Sequence, residues 1–258
     1  MPDPASPLTL VTIPCRTDNY AFLIHEEATG RTALVDAPEA APIAEALAQR
    51  GWTLDDILIT HHHSDHVDGV AALRAGARVI GAAADAHRLP PLDRAVAPGE
   101  TFETCGQAAH VIEVSGHTVG HIAFHLPGAD LLFTGDSLMA MGCGRLFEGT
   151  PDQMWEAMQR LRALPGDPLV CSGHEYTRAN MDFALTLEPA NADLISRSCA
   201  IDDARAAGRP TVPSRLSEER RTNPYLRADD PVLARAVALP DAPAARIFAE
   251  VRGRKDRF

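Results

Sequence analysis

No apolar run in this sequence approaches the ~20 residues needed to cross a bilayer, so a membrane-spanning protein is not expected. The opening stretch, MPDPASPLTLVTIPC, has neither the basic start nor the long apolar segment of a secretory leader, which points to the cytoplasm. Cysteine is sparse and unpatterned. Cys15, Cys105, Cys143, Cys171 and Cys199 are an odd number with no CxxC pair, which excludes a zinc ribbon and leaves buried reduced thiols as the expectation. Cations are outnumbered, 24 Lys and Arg against 35 Asp and Glu, for a net charge of −11. A surface of that sign repels phosphate backbones, so nucleic acid is not the expected partner. The exception is the last seven residues, RGRKDRF, with four cations and one anion.

What is present is an α/β pattern. At 258 residues with 45% hydrophobic side chains, the chain is long enough for one large domain or two smaller ones. LTLVTIPC and YAFLIHEE flank the polar RTDN and predict a hairpin, with RTALVDA as a third strand. EAAPIAEALAQRG predicts an amphipathic helix stopped by Gly51. DDILIT and ARVIGA predict strands, with helical VDGVAALRAG between them. After a Pro-rich crossing, TFETC, AAHVIEVSG, HIAFHLP and ADLLFTGD predict four more strands. PDQMWEAMQRLRALPG predicts a helix and PLVCSGHEY a return to strand. From about residue 179 alternation stops, and the remaining segment predicts helices, with RPTVPSRLSEERRTNPYL as a loop crossing between them.

The chemistry concentrates in ITHHHSDHVDG (59–69). In an extended segment alternate side chains share a face, so His61 and His63 can address one centre while His62 points elsewhere. Asp65 and His66 follow at once. Imidazole and carboxylate are good ligands for divalent first-row metals. Four ligands in six residues are easier to place around two neighbouring ions than around one. Further ligands stand at strand ends: His117 in VSGHTVGH, Asp136 in LLFTGDS and His174 in PLVCSGHEY. Gly135 permits tight backbone geometry beside Asp136, whose carboxylate can bridge two cations. For His62, His121, His125, His25, His87 and His110 an ordinary structural role is the default, with His121 and His125 candidates for orienting ligands.

THHHSDH matches the THxHxDH signature of the metallo-β-lactamase superfamily, and SGHTVGH, FTGDS and SGHEYT are similar to its later motifs in the expected order. The resemblance implies an αββα sandwich, residues 1–178, followed by a small helical domain, residues 179–258. It implies one ion on His61, His63 and His117, another on Asp65, His66 and His174, and Asp136 bridging them, with Asp65 and Asp136 as the catalytic carboxylates. Zinc is the first expectation, iron and manganese the alternatives. GCGRLFEGT, GHEYT, TNPYLR and RGRKD resemble the glyoxalase II (hydroxyacylglutathione hydrolase) branch. That branch implies glutathione contacts from Arg145, Tyr176, Arg252 and Lys255. Arg145 stands where Lys is usual, and Phe147 where Tyr is usual.

The implied reaction is hydrolysis of S-D-lactoylglutathione and other 2-hydroxyacylglutathiones to a 2-hydroxy acid (D-lactate) and glutathione, the second step of methylglyoxal detoxification. The substrate is a small glutathione thioester with two carboxylates, which an acidic enzyme needs a local cationic clamp to hold, and a monomer is expected. The rival within the superfamily is a mononuclear iron persulfide dioxygenase, against which the full second ligand set and the RGRKD tail count. A β-lactamase is disfavoured by the missing leader, a nuclease by the acidic balance. A non-catalytic metal-binding protein would call for closed, Cys-rich sites.

Overall fold

A computed structural model describes residues 8–258, so the part of the leader reading that rests on residues 1–7 lies outside them. The chain divides into two compact units. One holds the described residues through Glu113 together with Gly120–Gly135; the other holds Val114–Val119 and Asp136–Phe258.

In the first unit, β1 (Leu8–Cys15) and β2 (Asn19–Glu26) form the expected hairpin, and β3 (Arg31–Val35) pairs antiparallel with β2. Helix α1 (Ala40–Arg50) ends at Gly51, whose φ of 68° lets its N–H reach back to the last carbonyls. β4 (Asp56–Leu58) leads into the short helices α2 (Ser64–Val67) and α3 (Val70–Leu73), followed by β5 (Arg78–Ala82) and β6 (Arg94–Val96). These six strands make one sheet in chain order, parallel from β3 onward. β6 falls in the Pro-rich crossing, where no strand was expected. β7 (Thr101–Thr104), β8 (Gln107–Glu113), β9 (Ile122–Leu126) and β10 (Leu131–Gly135) are the four expected strands, all antiparallel.

Every residue of β2 is buried because its two faces meet different layers. Ala21 and Leu23 join Leu34, Ile57 and Val79 with Ile43 and Leu47 of α1 in one apolar cluster. Phe22 turns the other way and meets Phe133 of β10, ring centres 5.8 Å apart. The period of two thus sorts one strand into a helix-facing and a strand-facing set. This packing holds the end of β4, from which the His-rich loop emerges.

The second unit begins, past Asp136, with a two-strand hairpin of β11 (Leu138–Met139) and β12 (Gly142–Cys143). α4 (Pro151–Arg162) starts in a capping box. The Thr150 hydroxyl accepts from the Gln153 N–H, and the Gln153 side chain accepts from the Thr150 N–H. Its buried face, Met154, Trp155, Met158 and Leu161, recurs at helical spacing. β13 (Leu169–Ser172), α5 (Thr177–Leu187) and α6 (Ala192–Ala206) follow. Next come β14 (Ser214–Arg215), α7 (Leu216–Thr222), a 3₁₀ turn (Pro224–Leu226), α8 (Pro231–Ala236) and α9 (Ala244–Asp256). Trp155 and Tyr225 both pack on Phe248 of α9. Residues 209–226, expected as a loop, therefore carry a strand, a helix and a turn. Apolar periodicity misses α7 because its buried residues include Glu219 and Thr222.

Candidate metal centre

In the first unit the His-rich loop is tied to the sheet before it presents its candidate ligands. Asp36, at the end of β3, accepts from the Thr60 N–H at 2.9 Å and from the Thr60 hydroxyl at 2.8 Å. Its Oδ2 also accepts from His66 Nδ1 at 2.8 Å. Since the Thr60 hydroxyl gives its hydrogen to Asp36, it accepts from His61 Nδ1, 3.1 Å away. One buried carboxylate thereby orients two imidazoles and directs their Nε2 atoms elsewhere. His61 Nε2 lies 3.2 Å from His63 Nδ1, and His66 Nε2 lies 3.9 Å from Asp65 Oδ2. His62 turns away to Asp85, at 3.3 Å, as expected from alternation. Asn19 donates to the Asp65 carbonyl at 3.0 Å and to its carboxylate at 3.1 Å. Gly135, φ 48°, passes so near Thr60 and His121 that a Cβ there would collide with both.

Of the other histidines, His121 is fully buried and stacks on His61, ring centres 4.6 Å apart. His25 stacks on Trp52 and hydrogen-bonds Thr32. His125 packs near His110, and burial followed by the charge of His110 holds its pKa below the ordinary value.

The second unit gathers His117, Asp136 and His174, all buried. Asp136 Oδ2 lies 3.5 Å from His117 Nε2 and 3.2 Å from His174 Nε2. His117 Nδ1 donates to the Arg145 carbonyl at 2.8 Å, which again points Nε2 at the carboxylate. A side chain at Gly144 would strike the Asp136 carbonyl and the His117 ring, so only glycine lets the chain pass here. Imidazoles fixed through Nδ1, with Nε2 beside carboxylates, are a donor set that fits divalent first-row ions.

The four residues expected to hold glutathione also lie in this unit. Tyr176 is 39% exposed and stacks on His174, with ring centres 4.7 Å apart and planes 8° from parallel. Arg145 is exposed at the surface. Burial, then the positive charges of Arg252 and Arg145, push the Lys255 ammonium below its usual pKa, and its Nζ donates to the Ala179 carbonyl at 2.6 Å. Arg252 is buried, however. It donates to the Cys143 carbonyl at 2.9 Å and lies over the Tyr225 ring. Phe147, 63% exposed, meets His117 edge-on at 5.2 Å. Asp36, Asn19 and Thr60 were not singled out in the sequence. Asp36 carried no signal beyond its place at a strand end, and Asn19 none beyond its turn.

Residues 17–174 match the family model of the metallo-beta-lactamase superfamily, and residues 175–258 match that of the hydroxyacylglutathione hydrolase C-terminus. The hydroxyacylglutathione hydrolase of Ruegeria pomeroyi is 62% identical, over 98% of this chain and 100% of its own length. That of Jannaschia sp. is 59% identical, over 96% of this chain and 98% of its own. Among solved structures, the BLEG-1 B3 metallo-beta-lactamase superposes with a TM-score of 0.66 at 18% identity, over 84% of this chain and 99% of its own. ETHE1 from Myxococcus xanthus does so with 0.63 at 24% identity, over 96% and 97%. At such identities the structures speak to the fold alone, a mixed α/β metallo-β-lactamase sandwich followed by a helical segment.

Proposed function

From the premise that the chain belongs to the hydroxyacylglutathione hydrolase family, we propose that its seven His and Asp donors hold two divalent ions and that a cationic cluster holds glutathione. The chain is a thioester hydrolase: water cleaves a 2-hydroxyacylglutathione to the 2-hydroxy acid and free glutathione. S-D-lactoylglutathione is the proposed substrate. His61, His63 and His117 are assigned to one ion, Asp65, His66 and His174 to the other, and Asp136 to both. Zinc is the proposed ion, since these donors also suit iron and manganese but closely match common zinc chemistry.

Such ions, when bound, supply an acidified water (pKa lowered from ~15.7 toward neutrality) and a positive field for the carbonyl oxygen. The protein's own groups do the rest. Asp36 and the Arg145 carbonyl keep His61, His66 and His117 protonated on Nδ1, so that Nε2 carries the lone pair. Asn19 holds the Asp65 carboxylate in one orientation, ready to accept a proton from water. Arg145 and Lys255 draw the carboxylates of glutathione, with Arg suited to paired hydrogen bonds. The leaving group is a thiolate whose conjugate acid has a pKa near ~8.5, so no dedicated acid is needed for it.

The observation that carries this reading is the joining of ligand and clamp inside one unit. Arg145 offers its carbonyl to His117 while its side chain stands exposed at the surface of the unit that also holds Lys255. Residues 1–178 are proposed as the catalytic domain and 179–258 as the glutathione-binding domain of a cytoplasmic monomer. No helix among the described residues is long and apolar enough to cross a membrane.

The test is thiol release from S-D-lactoylglutathione by the zinc-loaded protein. Turnover is expected, and Arg145→Ala and Lys255→Ala should each raise KM by roughly 10-fold with kcat little changed, the loss of one charged hydrogen bond. A fully metallated protein that releases no thiol would remove the substrate assignment.

A further inference from the structure

Asn223 of the TNPYL segment (222–226) takes no part in the reaction as described, yet its buried side chain reaches into a short hairpin of the same unit. The β11–β12 hairpin consists of two strands of two residues joined by Ala140 and Met141, too short to hold itself in water. Met141 sits at φ 60°, a left-handed conformation that a residue with a long side chain avoids unless its surroundings enforce it.

Those surroundings come from the helical segment. Asn223 Nδ2 donates to the Met139 and Gly142 carbonyls, both at 3.0 Å. Glu219 Oε2 of α7 accepts from the Met141 N–H at 2.9 Å. Asn180 of α5 donates to the Ala140 carbonyl at 3.1 Å, and Arg252 of α9 to the Cys143 carbonyl at 2.9 Å. Glu219 and Asn223 are fully buried. Arg197 of α6 neutralises Glu219 through the other carboxylate oxygen and donates to the Thr222 hydroxyl at 2.6 Å. A buried carboxylate paired on one oxygen and aimed at a strained backbone N–H on the other leaves the hairpin little freedom.

The hairpin ends where the chemistry begins. Gly144 lies against the Asp136 carbonyl and the His117 ring, and the next residue offers the carbonyl that orients His117. We propose that Asn223, Glu219 and Asn180 are positioning residues of the metal centre. They set the hairpin so that the Arg145 carbonyl aims His117 at its ion and the Arg145 side chain at glutathione. This rests on the ligand and substrate assignment above. On it, the helical segment shapes the metal site as well as binding substrate.

The test uses the full-length protein and zinc. Asn223→Ala is expected to weaken the zinc held by His117 by about 10-fold or more in competition with a chelating dye, the size usual when a ligand's outer support is lost. The other zinc should keep its affinity, and KM for S-D-lactoylglutathione should rise. Asn180→Ser removes a single donor and serves if Asn223→Ala does not fold, native helicity being checked by circular dichroism. A folded variant with a lowered Tm but both zinc affinities and KM at the wild-type level would overturn the proposal. Zinc binding is read without substrate. A wild-type protein that binds two zinc ions and releases no thiol would therefore remove the assigned reaction, while the variants' zinc affinities still decide this inference.

Discussion

Replacing Asp36 by Asn turns one buried oxygen into an amide nitrogen and leaves the shape almost untouched. The backbone there has φ 56°, which Asn tolerates as readily as Asp. Oδ1 would still accept from the Thr60 N–H. On the other side, 2.8 Å from both the Thr60 hydroxyl and His66 Nδ1, the amide would present hydrogens where hydrogens already point. His66 Nδ1 must then accept, which moves the ring proton onto Nε2, the atom assigned to the ion. The Thr60 hydroxyl must turn its hydrogen toward His61 Nδ1, with the same result for that ring. Both imidazoles are fully buried, so water cannot relieve the mismatch. Losing the outer partner of one ligating His costs ~10–100-fold in metal affinity, or ~1.4–2.7 kcal/mol. Asp36 serves one imidazole assigned to each ion, so both affinities should fall by that factor. In the metal-free protein, the lost charged hydrogen bonds should cost ~1.5–3 kcal/mol. Zinc titration against a chelator, with thermal melts before loading, measures both quantities. An Asp36→Asn variant that binds both ions as tightly as wild type would refute the orientation argument.

Two further outcomes follow from single side chains. Phe147→Tyr places a hydroxyl on an exposed ring beside His117. It should lower KM by roughly 5-fold through one new hydrogen bond and leave kcat alone, and an unchanged KM would show that the ring does not reach substrate. Burial pushes the Cys143 thiol from 9.0 up to about 11, so the folded protein keeps a proton that the unfolded chain releases first. The stability this provides is whole below pH 9 and is lost as pH rises from 9 toward 11, about 3 kcal/mol in all. The urea midpoint should fall across that window, and fall less in Cys143→Ala; parallel declines would place the effect elsewhere.

The candidate ligands were legible because their pattern is local. An extended segment puts His61 and His63 on one face whatever surrounds it, and each later ligand follows an apolar strand and a glycine. Most of the strands and α4 were legible for the same reason, since their apolar period is written in adjacent residues. β6 and β14 are too short to show a period. α7 hides because its core-facing position is a glutamate that becomes acceptable only once Arg197 is beside it.

Sequence alone therefore determined which residues could bind metal, and roughly where the chain would bend to present them. Tertiary structure decided how they point. The acceptor that orients His66 comes from 30 residues away, and the one that orients His117 from 28. The clamp on the β11–β12 hairpin comes from 40 to 109 residues away. It decided, too, that Arg252, one of the tail cations expected to meet substrate, lies buried against the Cys143 carbonyl. A hydrogen bond's direction depends on where its partner sits in space, and at such separations only the packed core places the partner.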